Sequence, residues 1–309
     1  MRRDCKRGRA QLLAILSNRA KLLPLMKAAQ LPDKVISLIQ SALEEDIDGG
    51  DVTSEFFVSA DAVSSSRIVA REPGIAAGVA VAAQVFHEVD VRLIVSDELP
   101  DGSPFVAGDT LMRITGPTRG ILSAERVALN FLQRLCAIAT QTNHYVDAVK
   151  PYDVKVLDTR KTTPGCRWLE KMAVRAGGGT NHRMSLNDQV MVKDNHLLAD
   201  DKLEDLQHAI NCAKSARPGI KVELEADTLE QVTRFLKLEG VDMILLDNMK
   251  PAQLREAVTL VKGSVFLEAS GGITLDTINA VAATGVNAIS IGALTHTVRA
   301  LDLSMELDG

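Results

Sequence analysis

Five basic side chains, Arg160, Lys161, His182, Arg183 and Lys193, fall where the middle of this sequence reads as strand ends. Neighbouring cations such as Arg160 and Lys161 repel each other unless anions join them, so the group fits a substrate carrying several negative charges. Surface salt bridges are the plainer reading of each one taken alone. Glu225 and Asp247 project toward the same region from neighbouring strands. Hard carboxylate oxygens suit Mg²⁺, which takes one or two protein carboxylates together with substrate oxygens. A glycosidase-type carboxylate pair, or simple neutralisation of nearby cations, are the competing readings. Two glycine turns, Ser270-Gly271-Gly272-Ile273 and Ser290-Ile291-Gly292-Ala293, complete the set. Glycine lets the backbone come close to a ligand, and the N–H groups of a following helix bind phosphate oxygens; the alternative is a tight turn with no ligand.

From Tyr152 onward, short apolar runs alternate with amphipathic stretches. The strand candidates are Val154–Leu157, Gln189–Val192, Val222–Leu224, Met243–Leu246, Val265–Leu267 and Ala288–Ile291. Helices are expected at Trp168–Ala176, Lys202–Ser215, Leu229–Lys237, Pro251–Val261 and Leu275–Ala283. Apolar strands joined by helical crossovers make a parallel sheet covered on its outer face, here an open or incomplete (β/α) barrel. In such barrels the chemistry sits where the strands end. The residues just beyond the strands are Asp158-Thr159-Arg160-Lys161, Lys193-Asp194-Asn195-His196, Glu225, Asp247-Asn248, Glu268-Ala269-Ser270-Gly271-Gly272 and Gly292-Ala293. The last two turns lie where barrels commonly seat a phosphate.

Upstream, the spacing of Val35, Leu38, Ile39, Ala42 and Leu43 predicts a helix over 32–47, followed by a loop from Asp48 to Ser54. Residues 66–120 read as short strands at Arg67–Ala70, Val91–Val95, Phe105–Ala107 and Thr110–Ile114, with an alanine-rich helix over Ile75–Val89. A long helix over 123–150, with Ser123 as its N-cap, leads from this layer into the barrel.

Composition narrows the class. The chain has 309 residues, so one large barrel or two domains is expected. Aromatics at 3% and a net charge of −5 argue against a nucleic-acid surface. Cys5, Cys136, Cys166 and Cys212 are too scattered for a metal module or a disulfide framework, which points to a reducing cytoplasm. No run approaches the ~18 apolar residues of a membrane helix. Residues 1–27 carry eight basic side chains against Asp4, and a solvated extension is preferred there to a targeting peptide. Gly177-Gly178-Gly179 lacks the spacing of a nucleotide loop, and Cys166 and Trp168 read as packing residues.

Three motifs resemble the quinolinate phosphoribosyltransferase family: Asp158-Thr159-Arg160-Lys161-Thr162-Thr163-Pro164-Gly165, then Gly177-Gly178-Gly179…Asn181-His182-Arg183, and Lys193-Asp194-Asn195-His196. The resemblance continues through Val222-Glu223-Leu224-Glu225, Leu245-Leu246-Asp247-Asn248-Met249, Ala269-Ser270-Gly271 and Ile289 to Thr295. Upstream it takes in Glu125 to Phe131 and Glu44, Asp46, Gly50-Asp51-Val52-Thr53, so about residues 30–307 are covered in order. Gly272 departs from it, since many members carry Asn there. The resemblance implies an N-terminal α/β sandwich, residues 28–122 with 296–309, and an incomplete seven-stranded (β/α) barrel with its bridging helix over 123–295. The reaction implied is transfer of ribose 5-phosphate from phosphoribosyl pyrophosphate to quinolinate with loss of CO₂, using Mg²⁺. It further implies a homodimer or dimer-based assembly in which Arg126 reaches the neighbouring subunit's site. The acceptor carboxylates would lie among Arg160, His182, Arg183 and Lys193. Lys161 and Lys193 would meet phosphate oxygens, and Glu225 and Asp247 the metal and ribose. The turns at Ser270, Gly271, Gly272 and Ser290, Ile291, Gly292, Ala293 would hold the 5-phosphate. Three rivals remain at this point: a same-fold transferase acting on nicotinate, a Schiff-base aldolase using Lys161 or Lys193, and a non-catalytic phosphosugar-binding regulator.

Overall fold

The structure, a computed structural model, describes residues 31–196 and 202–308; the basic segment 1–27 lies outside the described residues. The chain opens with helices α1 (Asp33–Ile47) and α2 (Val52–Phe57), then strands β1 (Val63–Ala70) and β2 (Gly74–Ile75). The segment expected to be a loop through Ser54 thus turns helical at Val52, because the Asp51 side chain accepts the Ser54 N–H at 2.9 Å as an N-cap. Helix α3 (Val79–Val89) starts four residues later than the apolar run suggested. Its first N–H groups, on Gly78 and Val79, are taken by the Asp101 carboxylate at 3.1 Å each, so the helix begins there and Ile75 is left to pair as a strand. Strands β3 (Ile94–Ser96), β4 (Pro104–Phe105) and β5 (Thr110–Pro117) follow.

Helix α4 (Thr118–Val149) is longer than expected and starts at Thr118 rather than after Ser123. Ser123 is no cap: its hydroxyl donates to Asp51 at 2.9 Å, tying the helix to the α2 turn. Val127, Leu132, Leu135, Ile138 and Ala139 are all buried, as one helical stripe requires.

The rest of the chain is β6 (Lys155–Leu157), α5 (Arg167–Ala176), β7 (Gln189–Val192), α6 (Leu203–Ala216), β8 (Lys221–Ala226), α7 (Leu229–Phe235), β9 (Met243–Asp247), α8 (Pro251–Val261), β10 (Phe266–Ser270), α9 (Leu275–Ala282), β11 (Ala288–Ser290), α10 (Ala293–His296) and β12 (Leu303–Leu307). Two main sheets result. The first is antiparallel, in the order β12-β1-β5-β3, with α3 on α4 beside it. Its edge strand β12 comes from the far end of the chain and pairs Leu303 to Ala70 and Leu307 to Ser66. The second is parallel, in the order β6-β11-β10-β9-β8-β7. On the other side of β6 a single bridge joins Leu157 to Thr180, adding a seventh, barely formed strand position. The ring closes everywhere except between that position and β7, which is the incomplete barrel expected beside a sandwich.

Close packing explains two glycines of the triplet, Gly177 and Gly179. A side chain on Gly177 would place its Cβ 2.2 Å from the Ala139 carbonyl oxygen of α4 and 2.7 Å from Thr142 Cβ. Gly177 is therefore a contact point between α5 and α4, not a ligand loop. Gly177→Ala should lower unfolding free energy by about 1–3 kcal/mol, measured by urea denaturation, because α4 cannot recede without disturbing both sheets.

Candidate active site

Side chains alternate across a strand, and the barrel strands use that alternation to give every strand a core face and a cleft face. On β8, Val222, Leu224 and Ala226 are buried, while Glu223 and Glu225 occupy the other face. On β9, Leu245 and Asp247 turn to the cleft, and on β10, Glu268 and Ser270 do. Strand register sets Ser270 beside Asp247 and both Glu225 and Glu268 beside Leu245. Glu225, Asp247 and Glu268 therefore lie within strands, not after them as the apolar runs suggested.

The cleft holds about 540 Å³ and is lined by Thr159, Arg160, Lys161, His182, Arg183, Met191, Lys193, Glu225, Leu245, Asp247, Asn248, Glu268, Ser270, Gly271, Gly272 and Ser290. All five expected cations and both expected carboxylates meet there. Of the glycine turns, Ser270, Gly271, Gly272 and Ser290 reach it. Ile291 does not: it is buried and its N–H is spent on the Leu157 carbonyl at 2.9 Å. Gly292 stands behind the cleft wall, where a Cβ would lie 2.9 Å from Lys161 Cδ and 3.0 Å from His296 Nε2. Ala293 faces a separate hollow beside Thr140 and Leu301. Arg126 is exposed on α4, lines none of this cleft, and forms no ion pair among the described residues.

The upper cleft is built from charges held by partners. Lys193 pairs with Glu225. The Arg183 guanidinium donates to the Gln189 carbonyl at 3.0 Å, and burial, with Arg160 nearby, holds its pKa below the usual value. Burial, then Asp227, pushes the Asp247 carboxyl up, and the Asn248 amide donates to it at 2.7 Å. Asn248 takes a left-handed conformation (φ 54°), and a side chain on Gly271 would bring a Cβ within 2.2 Å of its Oδ1, so the turn after β10 must be glycine.

Beneath lie two acids to which sequence reading gave no role of their own. Glu223 and Glu268 are fully buried, and each sends an oxygen to 3.3 Å from His182 Nε2. Their placing follows from alternation: Glu223 is two residues before Glu225, and Glu268 two before Ser270. Burial alone would lower the His182 pKa, but the two carboxylates outweigh it and raise it to about 9. Arg134 of α4 binds Glu170 at 2.6 Å and the Thr295 carbonyl at 2.9 Å, and Gln141 donates to the Ala293 carbonyl at 2.6 Å. The long helix thereby braces the turn after β11. Among the described residues, His182, Glu223 and Glu268 also form the one cluster with metal-ligand spacing, distinct from Glu225 and Asp247.

Comparison with known proteins agrees with this architecture. The quinolinate phosphoribosyl transferase N-terminal domain model matches residues 51–136, and the C-terminal domain model matches residues 138–306. A probable nicotinate-nucleotide pyrophosphorylase [carboxylating] of Bacillus subtilis is 41% identical over 263 residues, covering 85% of this chain and 90% of that protein. The Mycobacterium leprae nicotinate-nucleotide pyrophosphorylase [carboxylating] is 41% identical over 283 residues, covering 89% and 98%. The solved nicotinate-nucleotide pyrophosphorylase of Francisella tularensis superposes with a TM-score of 0.84 at 35% identity, over 90% of this chain and 98% of that one. Human nicotinic acid phosphoribosyltransferase, at 13% identity and a TM-score of 0.57, shares the fold alone.

The buried His182 site sets a pH signature. A histidine whose folded pKa exceeds its ordinary value adds stability that is complete below about pH 6.5 and lost as pH rises through about 9. The stability gap between the wild type and His182→Gln should therefore be widest near pH 6 and narrow above about pH 9, as followed by denaturation at each pH. A gap independent of pH would mean that the imidazole is held neutral.

Proposed function

This chain belongs to the quinolinate phosphoribosyltransferase family, and we propose how the residues of its cleft divide the family's reaction between them. The enzyme transfers ribose 5-phosphate from phosphoribosyl pyrophosphate to the ring nitrogen of quinolinate, releasing pyrophosphate and CO₂ and leaving nicotinate mononucleotide for NAD biosynthesis. The observation that carries the assignment of roles is the gathering of five cations, two carboxylates and the Ser270-Gly271-Gly272 turn around one cleft.

Quinolinate carries two carboxylates on adjacent ring carbons. Arg160, His182, Arg183 and Lys193 supply enough positive charge to bind both, which a monocarboxylate such as nicotinate would leave partly unpaired. Lys161 stands beside the Gly292 turn, suited to phosphate oxygens of the sugar donor. The Ser270-Gly271-Gly272 turn and Ser290 take the 5-phosphate. As the anomeric C–O bond to pyrophosphate breaks, positive charge grows on the ribose carbon, and Glu225 and Asp247 face that charge. The ring nitrogen's lone pair forms the new C–N bond. The ring is then cationic, so the C–CO₂ bond breaks with its electron pair held next to the positive nitrogen, and a proton replaces CO₂. Nothing in these steps asks for a Ser or Cys nucleophile, and Cys166 stays a half-buried thiol with its pKa raised by burial.

Glu225 and Asp247 also fit Mg²⁺. Both offer hard oxygens to the cleft, where burial and then Asp227 raise the Asp247 pKa. When bound, Mg²⁺ would supply charge neutralisation on the leaving pyrophosphate. Cys136, Cys166 and Cys212 are free thiols, which supports a reducing, cytoplasmic setting. Arg126, exposed and without an ion pair among the described residues, fits a homodimer in which it completes the partner's acceptor site.

With phosphoribosyl pyrophosphate and Mg²⁺, quinolinate should release CO₂ and pyrophosphate in equal amounts, read by isotopic CO₂ and phosphate assays. Nicotinate turned over at a comparable rate would replace this acceptor with the monocarboxylate. Arg126→Ala should abolish most turnover yet leave folding and dimerisation intact. Mixing it with inactive Lys161→Ala under subunit exchange should restore activity through hybrid dimers holding one intact site; no recovery despite verified exchange would confine Arg126 to its own chain or to no role.

A further inference from the structure

The segment that carries His182 and Arg183 into the cleft is scarcely part of the sheet. Its rung at Thr180 is regular: the Thr180 N–H donates to the Val156 carbonyl at 2.8 Å, and its carbonyl accepts from the Asp158 N–H at 3.2 Å. A parallel ladder would continue with the His182 N–H donating to the Asp158 carbonyl and the His182 carbonyl accepting from the Arg160 N–H. Both bonds are replaced by side chains. The Asp158 carboxylate accepts the His182 N–H at 2.8 Å, and Lys171 Nζ of α5 donates to the His182 carbonyl at 2.9 Å. Lys171 and Asp158 are themselves ion-paired and completely buried. Asn181, with its amide oriented to suit its neighbours, adds bonds to Asp158 Oδ2 at 3.1 Å and to the Lys171 carbonyl at 2.9 Å.

A buried ion pair is a poor way to gain stability, since desolvation offsets most of the attraction and apolar residues serve as well. What this pair does that apolar residues could not is grip both backbone groups of one residue at the point where the ladder stops. Resting on the placement of the acceptor carboxylates at His182 and Arg183, we propose that Lys171 and Asp158 are positioning residues for acceptor recognition. They extend the sheet by one rung through side chains. That fixes the peptide from which the His182 imidazole and the Arg183 guanidinium are aimed, while freeing Arg160 to turn into the cleft. Neither residue touches substrate; the pair acts through the His182 backbone, and apart from Lys161, three residues on from Asp158, the sugar-phosphate side of the cleft lies on β8 to β11, away from it.

The discriminating readout is the split between the two substrates. Lys171→Met removes the bond to the His182 carbonyl but strands Asp158 in the interior, and Asp158→Leu with Lys171→Met removes both charges together. In whichever folds, checked by circular dichroism and melting, calorimetry should show quinolinate affinity reduced about tenfold or more and phosphoribosyl pyrophosphate affinity changed less than about threefold. Asp158→Asn keeps an acceptor for the His182 N–H and should retain quinolinate affinity within about threefold even where its melting temperature drops. Equal losses for both substrates, an unchanged quinolinate affinity in the double variant, or failure of both Lys171→Met proteins to fold would overturn the positioning role. Arg183→Gln separates this from the placement beneath it. If that variant binds quinolinate normally, the acceptor lies elsewhere; if it binds poorly while the double variant binds well, only the clamp is wrong.

Discussion

Like charges crowded into one cleft are the constraint around which the barrel is built. Two unit charges 4 Å apart repel by about 4 kcal/mol at the effective dielectric of a protein surface, so five cations facing one another would spread apart in the free enzyme. Carboxylates hold two of the five, His182 and Lys193, and the Gln189 carbonyl holds a third, Arg183. His182 sits against Glu223 and Glu268, Lys193 pairs with Glu225, and the backbone at His182 is held by Asp158. The strand alternation that buries Val222 and Leu224 on one side is the same alternation that delivers Glu223 and Glu225 to the other. Fold and charge balance are thus met by one pattern of residues.

The long helix α4 links this balance to the sandwich. It packs against α3 on one side and α5 on another, and along its length it sends Arg134 and Gln141 to carbonyls of the turn after β11. Arg134 also meets the fully buried Glu170. A shift of this helix would be felt by the sandwich, the α5 contact at Gly177 and the turn beside Lys161 together. Arg126 lies on the same helix near its start, so a neighbouring subunit docked there would be coupled to the same rigid body.

Much of this organisation was legible in the sequence. The barrel strands stood out as short apolar runs, and the cleft cations and carboxylates stood at or near their ends. Boundaries slipped where local pattern is silent. Ile75-Ala76-Ala77 is as apolar as the helix that follows, and only the distant Asp101 carboxylate decides that the helix starts at Val79. Ser123 looks like a cap but spends its hydroxyl on Asp51. The acids of the lower layer were hidden for a different reason. Glu268 reads as lying just beyond a strand and Glu223 only as part of a motif, and only closure of the sheet brings both against His182 in an interior. Lys171 and Asp158 belong to a helix and a strand end, and their pairing exists only in three dimensions. Gly177 and Gly179, which carry no nucleotide-loop spacing in the sequence, answer to packing against α4.

The pairing of β12 with β1 has a consequence for biosynthesis. Residues 63–70 emerge from the ribosome long before residues 303–307, yet the two strands are hydrogen-bonded neighbours in the finished sheet. Until residues 303–307 have been made, β1 can pair with β5 on one side only and keeps an open row of backbone donors and acceptors on the other. The barrel strands, formed in between, can assemble while that edge waits. Contacts this distant along the chain form slowly, so the nascent sandwich passes through a period in which one strand edge is free to pair with another chain. Arg67 and Arg71 on that edge, later neutralised by Glu306, place positive charge there during the wait and disfavour pairing between two unfinished copies.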